Sequence, residues 1–217
     1  MRKKSLTLIL ALLVAFSSLC GCSDVLPFET KYETLSGTWR CTLQDSESEA
    51  RGLLESIDAF EEEIAVADLT SLKFVKTVTF TVDKTYRFDY DIEGTKACVR
   101  EFLDNYFNDL YDARITLNDA YGIDFGNMSR AEFLGFYADI YRFSDYNEML
   151  DVLSENVYDY DRLARESIES GTYTIDGSYI MCTTKGSYKA EGMEYRIHDD
   201  SLTLIYVNGM EIYSKVN

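Results

Sequence analysis

With 217 residues, a single proline, 46% hydrophobic side chains and 38 acidic against 21 basic ones, the chain is ordinary globular material for one domain, or for one domain carrying an insertion. A net charge of −17 excludes nucleic acid and anionic surfaces as natural partners, because both would repel it. A lone histidine excludes a His-based zinc centre, and no Gly-rich phosphate loop, G-x-S-x-G or paired-cysteine metal motif occurs.

Arg2, Lys3 and Lys4 precede an apolar run from Leu6 to Leu19, which is short for a bilayer span and has the layout of a secretory signal. It ends in Leu19-Cys20-Gly21-Cys22, which resembles the lipobox of bacterial lipoproteins, with Cys20 where Ala, Ser or Thr is more usual. The resemblance implies a signal peptide over residues 1–21, lipidation of Cys22, and a chain anchored to a membrane without spanning it, on the extracytoplasmic side of the cell envelope. Ser23 resembles the pattern sorted to an outer membrane where one exists. Cleavage would remove three basic side chains and no acidic one, taking the net charge from −17 to −20. Such a surface keeps an exported protein soluble and admits a cationic ligand. Residues 22–34 hold the only proline, Pro27, and read as a tether.

Leu35 to Leu43 reads as a first strand, with Trp39, Cys41 and Leu43 on one face. From Asp45 to Leu69, Leu53, Ile57, Phe60 and Ile64 recur at helical spacing, opposite Glu61, Glu62 and Glu63. Strand character returns at Phe74–Val82, with Val78, Phe80 and Val82 inward, and at Thr85–Ile92, with Tyr86, Phe88, Tyr90 and Ile92 on one face. From about 95 to 170 the period is helical again. Val99 to Tyr111 form one stripe; Ser129 and Glu132 make a capping box for a second helix; Asp145 or Ser144 caps a third that runs through Leu163 towards Gly171. Five short strands follow, with Asp176-Gly177 and Asn208-Gly209 as the dipeptides favoured in type I′ hairpin turns.

The fold class is therefore mainly β with helical insertions: eight antiparallel strands that close into an up-and-down barrel and so remove their edges. Gly37-Thr38-Trp39 resembles the Gly-x-Trp signature of the lipocalins, and the stretch from Gly171 to Tyr213-Ser-Lys215 resembles the lipocalin-like domains of bacterial lipoproteins. The resemblance covers about half the chain. It implies a barrel over 35–217 with insertions at about 45–69 and 95–170, sealed at one end by a basic residue, here Lys215, packed over Trp39. The tight connections alternate with the bulky ones, so the helices are expected as a cap at the open end, pointing away from the anchor.

Two uses of that cap stand open. Tyr106, Tyr111, Tyr137 and Tyr141 either cage a small amphiphilic or cationic ligand beneath it, or form the core of the helices, in which case the outer face would meet another envelope protein. The Asp-rich loop 118–127 lacks the ligand order and closing Glu of an EF-hand, and Tyr158-Asp-Tyr-Asp161 reads as a solvated helix turn. His198 falls outward beside Asp199 and Asp200, where no oriented imidazole is expected, so neither catalysis nor a cofactor or metal is expected. Of Cys41, Cys98 and Cys182, the first and last share the inward parity, either as one disulfide or as two small buried hydrophobes.

Overall fold

A computed structural model describes residues 28–122, 124–166 and 169–216. The expected signal peptide, residues 1–21, and Cys22 lie outside the described residues. The chain divides into two units, 1–34 and 35–217. In the first, the described residues belong to a helix, α1 (Phe28–Leu35), where an irregular tether is expected. The Glu- and Lys-bearing sequence from Phe28 on is helix-compatible.

The second unit is built on eight strands: β1 (Gly37–Gln44), β2 (Lys73–Phe80), β3 (Thr85–Tyr90), β4 (Glu169–Asp176), β5 (Tyr179–Thr184), β6 (Ala190–His198), β7 (Ser201–Tyr206) and β8 (Gly209–Lys215). They pair antiparallel in sequence order and close into a barrel. The register carries the alternation of the sequence onto one inner face: Trp39 stands opposite Val78, Val78 opposite Phe88, Tyr173 opposite Cys182, and Leu202 opposite Tyr213, all buried. Phe80 and Tyr173 meet edge to face, with ring centroids 5.0 Å apart.

Closure is the weakest seam. β1 meets β8 through only two residue pairs, Trp39 with Lys215 and Arg40 with Ser214. There the Trp39 indole N–H donates to Leu35 O at 2.8 Å, and Lys215 Nζ sits 5.1 Å from the Trp39 ring centroid. Gly37 adopts φ +131°, and a Cβ there would lie 3.2 Å from Lys215 Cε, so glycine is required both by the backbone and by the lysine.

The turns differ from their dipeptide signals. In β4–β5 the loop is Gly177-Ser178, with positive φ at Gly177 alone, the sign pattern of a type II′ turn. In β7–β8 it is Val207-Asn208, neither with positive φ, so neither dipeptide makes a type I′ turn. In each case the register set by the inner face shifts the turn one residue along or back. The β2–β3 loop closes with Lys84 at φ +62° and its N–H on Thr81 O. Val82, expected inward, lies in that loop, 60% exposed. Ile92 opens a helix instead of ending a strand.

The helices have a core of their own. They are α2 (Glu47–Ser56), α3 (Glu61–Ile64), a 3-10 turn at Leu69–Ser71, α4 (Ile92–Tyr121), α5 (Arg130–Ile140), α6 (Tyr146–Asn156) and α7 (Tyr160–Glu166). Leu54, Phe102, Phe107, Phe133 and Leu150 belong to one buried cluster that draws on these segments and on none of the strands. The single helix expected over 45–69 breaks where Asp58 takes φ +59°. The one expected from 145 splits because Asp159 caps a new helix, accepting the Arg162 N–H at 2.8 Å. The Ser129–Glu132 capping box is present, and Asp145 caps α6.

The first turns of α4 lie against the outer wall at β1–β2. Val75 points outward by register yet is buried, its N–H donating to Thr95 Oγ1 at 3.0 Å and its carbonyl accepting from Asp91 N–H at 2.8 Å. Arg40, also outward, reaches Asp91 at 2.9 Å. An apolar residue on the outer face needs a cover, and α4 supplies it, so the helices flank the wall where a cap over the mouth is expected.

Trp39→Ala is expected to cost about 3–5 kcal/mol in urea unfolding, as a large buried aromatic does, and Lys215→Ala about 1 kcal/mol or less, as an accessible cation–π contact does. Gly171→Ala should destabilise by about 1–3 kcal/mol, because its Cβ would fall 2.0 Å from the Thr183 carbonyl oxygen. Gly52→Ala in α2 meets open space and should stabilise by about 0.5–1 kcal/mol in the same assay.

Candidate functional site

The long connections, residues 45–72 and 91–168, leave the same end of the barrel as the 185–189 and Val207-Asn208 loops. A cavity of about 480 Å³ enters it, walled by Phe88, Cys182, Met193 and Tyr206, with Lys76, Glu169 and Glu191 among its polar lining. The apolar inner residues Phe80, Ile175, Ile180 and Leu202 lie towards the tight turns, whereas the charged ones gather at the mouth.

Two hydrogen-bonded groups organise that mouth. In one, Lys76 Nζ donates to both carboxylate oxygens of Glu211, at 2.9 and 3.2 Å, while the hydroxyls of Tyr206 and Tyr213 donate to Glu211 Oε2 at 2.9 and 2.5 Å. Burial works against the charge on Glu211, but the donors from Tyr213 and Lys76 outweigh it and hold the carboxyl below its ordinary range. Burial and the carboxylate push both phenols far up, so they stay protonated donors. Lys76 Nζ also lies 5.7 Å from the Phe88 ring centroid and 5.9 Å from that of Tyr206.

In the other group, the Tyr86 hydroxyl and Thr184 Oγ1 donate to Glu169 Oε1 at 2.7 and 3.1 Å. Both bonds end on the same oxygen. Among the described residues no ion pair is made by Glu169 or Glu191.

The four tyrosines expected to cage a ligand are held elsewhere. Tyr106 and Tyr137 are buried in the helical core, their hydroxyls donating to the buried Glu63 at 3.3 and 2.7 Å. Tyr141 donates to Ile57 O at 2.8 Å, and Tyr111 packs under the Arg114 guanidinium, 4.0 Å from its ring centroid. The hydroxyls of Tyr106, Tyr137 and Tyr141 and the ring of Tyr111 serve the packing of the helices, so of the two readings open for these candidates the structure favours the core. Tyr158 and Tyr160, expected to be solvated, are drawn in between helices, donating to Asp45 Oδ2 at 2.9 Å and Ser154 O at 2.5 Å.

Cys41, Cys98 and Cys182 are free thiols, which decides between the two cysteine readings in favour of buried hydrophobes. Burial, chiefly, pushes Cys182 up to about 12, so its thiol stays protonated although it borders the cavity. His198 is exposed, with Nδ1 3.1 Å from Asp199 Oδ2. Among the described residues no three metal-ligating side chains gather, and residue 123, within the Asp-rich loop 118–127, is outside them.

Lys76, Glu211 and Glu169 escape a reading that looks for motifs, yet a signal exists. Lys76 interrupts the inward series Phe74, Val78, Phe80, and Glu211 interrupts Gly209, Tyr213, Lys215. Charges of opposite sign at inward parity on strands destined for one barrel are a candidate internal pair.

Glu211→Gln, which leaves Lys76 without its counter-charge, should cost on the order of 2 kcal/mol in urea unfolding, less than a fully buried pair because both side chains keep some contact with water. The sign of the pH dependence follows from the lowered carboxyl. Its stabilisation is fully present above the unfolded-state carboxyl pKa and is lost as pH falls through the lower folded-state value. The variant should therefore lose part of the wild type's stability decline in that acid window.

Compared with protein-family models, with curated proteins and with solved structures, the chain matches none.

Proposed function

We propose that this chain is an extracytoplasmic binding module that holds a small or amphiphilic molecule in the mouth of its barrel. The cavity of about 480 Å³ carries this reading: it is within the usual size of a small-molecule site and combines apolar walls with a few fixed polar groups. The internal Lys76–Glu211–Tyr206–Tyr213 group supports it. Such a group fixes the polar side chains before a ligand arrives, so that less ordering remains to be done on binding.

The lipocalin-like reading belongs here too. It is supported by the Gly37-Thr38-Trp39 start, the barrel of eight strands in sequence order, and Lys215 lying over Trp39 at the narrow end. The lipid anchor at Cys22 rests on the lipobox resemblance, and the module would work tethered to a membrane of the cell envelope without any catalytic step. A protein-interaction role with a filled mouth has less support, since the mouth is hollow and the helical tyrosines are spent on their own core.

Native mass spectrometry of the protein purified from the cell envelope, compared before and after denaturation, tests the binding role. A small non-covalent mass lost on unfolding is expected. A bare chain, unchanged after exposure to envelope lipid extracts, would overturn it. Cys22→Ala should release the chain from the membrane fraction; retention there would refute the anchor.

A further inference from the structure

The charges around the mouth do not balance. Among the described residues Lys76 is the one cation that borders the cavity, and Glu211 already neutralises it at 2.9 Å. Asp89, also at the cavity, is paired with Arg87 at 2.6 Å. That leaves Glu169 and Glu191 as carboxylates bordering the cavity with no ion pair among the described residues. Glu169 is held in place by Tyr86 and Thr184 through Oε1, and among the described residues no hydrogen bond ends on Oε2.

The walls beside these carboxylates are aromatic and soft. Phe88 and Tyr206 already face one ammonium, that of Lys76, and Tyr90 and Met193 extend the same lining. A neutral or anionic head gains no counter-charge from these carboxylates, whereas a cationic head gains one at either. The −17 charge of the whole chain acts in the same direction, raising the local concentration of cations and repelling anions.

From this we infer that the ligand is an organic cation with an apolar body, an alkylammonium-type amphiphile whose head is received by Glu169 and Glu191 while its body lies along Phe88, Met193 and Tyr206. This rests on the proposal that the mouth is a binding site at all, and adds the ligand class and the residues that select it.

Titration calorimetry of the full chain without its lipid, with octyltrimethylammonium, octyl glucoside and octyl sulfate below their micellar concentrations, separates the two claims. The three probes share a tail and differ in the charge of the head. At about 150 mM salt, where charges more than about 8 Å apart are largely screened and close pairs are not, octyltrimethylammonium is expected to bind tightest. Glu169→Gln with Glu191→Gln should weaken it about tenfold, as the loss of a close charge pairing does, and leave octyl glucoside unchanged. Asp199→Asn with Asp200→Asn, the same charge change at the far end of the barrel, should alter none of the three. Equal binding of the cationic and neutral probes overturns the cation inference and leaves the binding site standing. So does a cation preference that survives the Glu169/Glu191 substitutions. Binding of no probe overturns both.

Discussion

The barrel depends on how little joins β1 to β8. Every other neighbouring pair of strands shares at least four residue pairs, whereas this seam has two, both at the narrow end. The seam is held by two residue pairs and the bond from Val216 N–H to Thr38 O at 2.8 Å, together with the ammonium of Lys215 over the Trp39 ring, which Gly37 allows to approach; the Trp39 indole is itself fixed to Leu35 O. Beyond the seam the two strands separate, and a groove opens that is lined by Cys41 and Thr42 from β1, Ile212 from β8, and Ala97 and Cys98 from α4. α4 is thus placed where the strand ladder is missing. Asp91, just before it, reaches Arg40 of β1 and its Thr95 reaches Val75 of β2, so the helical insertion braces the wall beside the seam.

The same closure separates the interior into two chemistries. Towards the tight turns the inner face is aromatic and aliphatic and tightly filled, as the contact of Phe80 with Tyr173 shows. Towards the long connections the barrel holds a cavity of about 480 Å³ and charge. An internal lysine is tolerated there because Glu211 and two phenols complete its surroundings and because water still reaches the pair. A mouth built this way is polar in fixed places and apolar between them, which is the composition a selective small-molecule site needs.

The helical part solves a separate problem. Its residues between β1 and β2 and between β3 and β4 are far apart in sequence, yet they bury one another around Phe107, whose ring meets Tyr106, Tyr137, Tyr141 and Tyr146 at centroid distances of 4.9 to 6.3 Å. Glu63, from the first insertion, accepts hydroxyls from Tyr106 and Tyr137 of the second, so the two insertions share a buried polar contact as well as an apolar one. A tyrosine-rich surface and a tyrosine-rich core look alike in composition. Only the hydroxyl partners tell them apart.

Much of the fold was legible in the sequence, because alternation with a period of two is a local signal and the inner face enforces it strand by strand. Trp39, Cys41, Val78, Phe80, Phe88 and Cys182 were assignable to the interior on that ground alone, as were the helical stripe of α4 and the Ser129–Glu132 capping box. The site was much less legible. Whether Tyr106 and Tyr137 cage a ligand or pack a core depends on which insertion lies beside which, and that is fixed by contacts between residues 43 and 74 positions apart. The pairing of Lys76 with Glu211 spans 135 positions and exists only because the sheet curls until β2 and β8 share one lumen. Where the helices sit was likewise decided by tertiary structure: a local pattern shows that Val75 is apolar and outward, but only packing shows that α4 comes to cover it, leaving the mouth open.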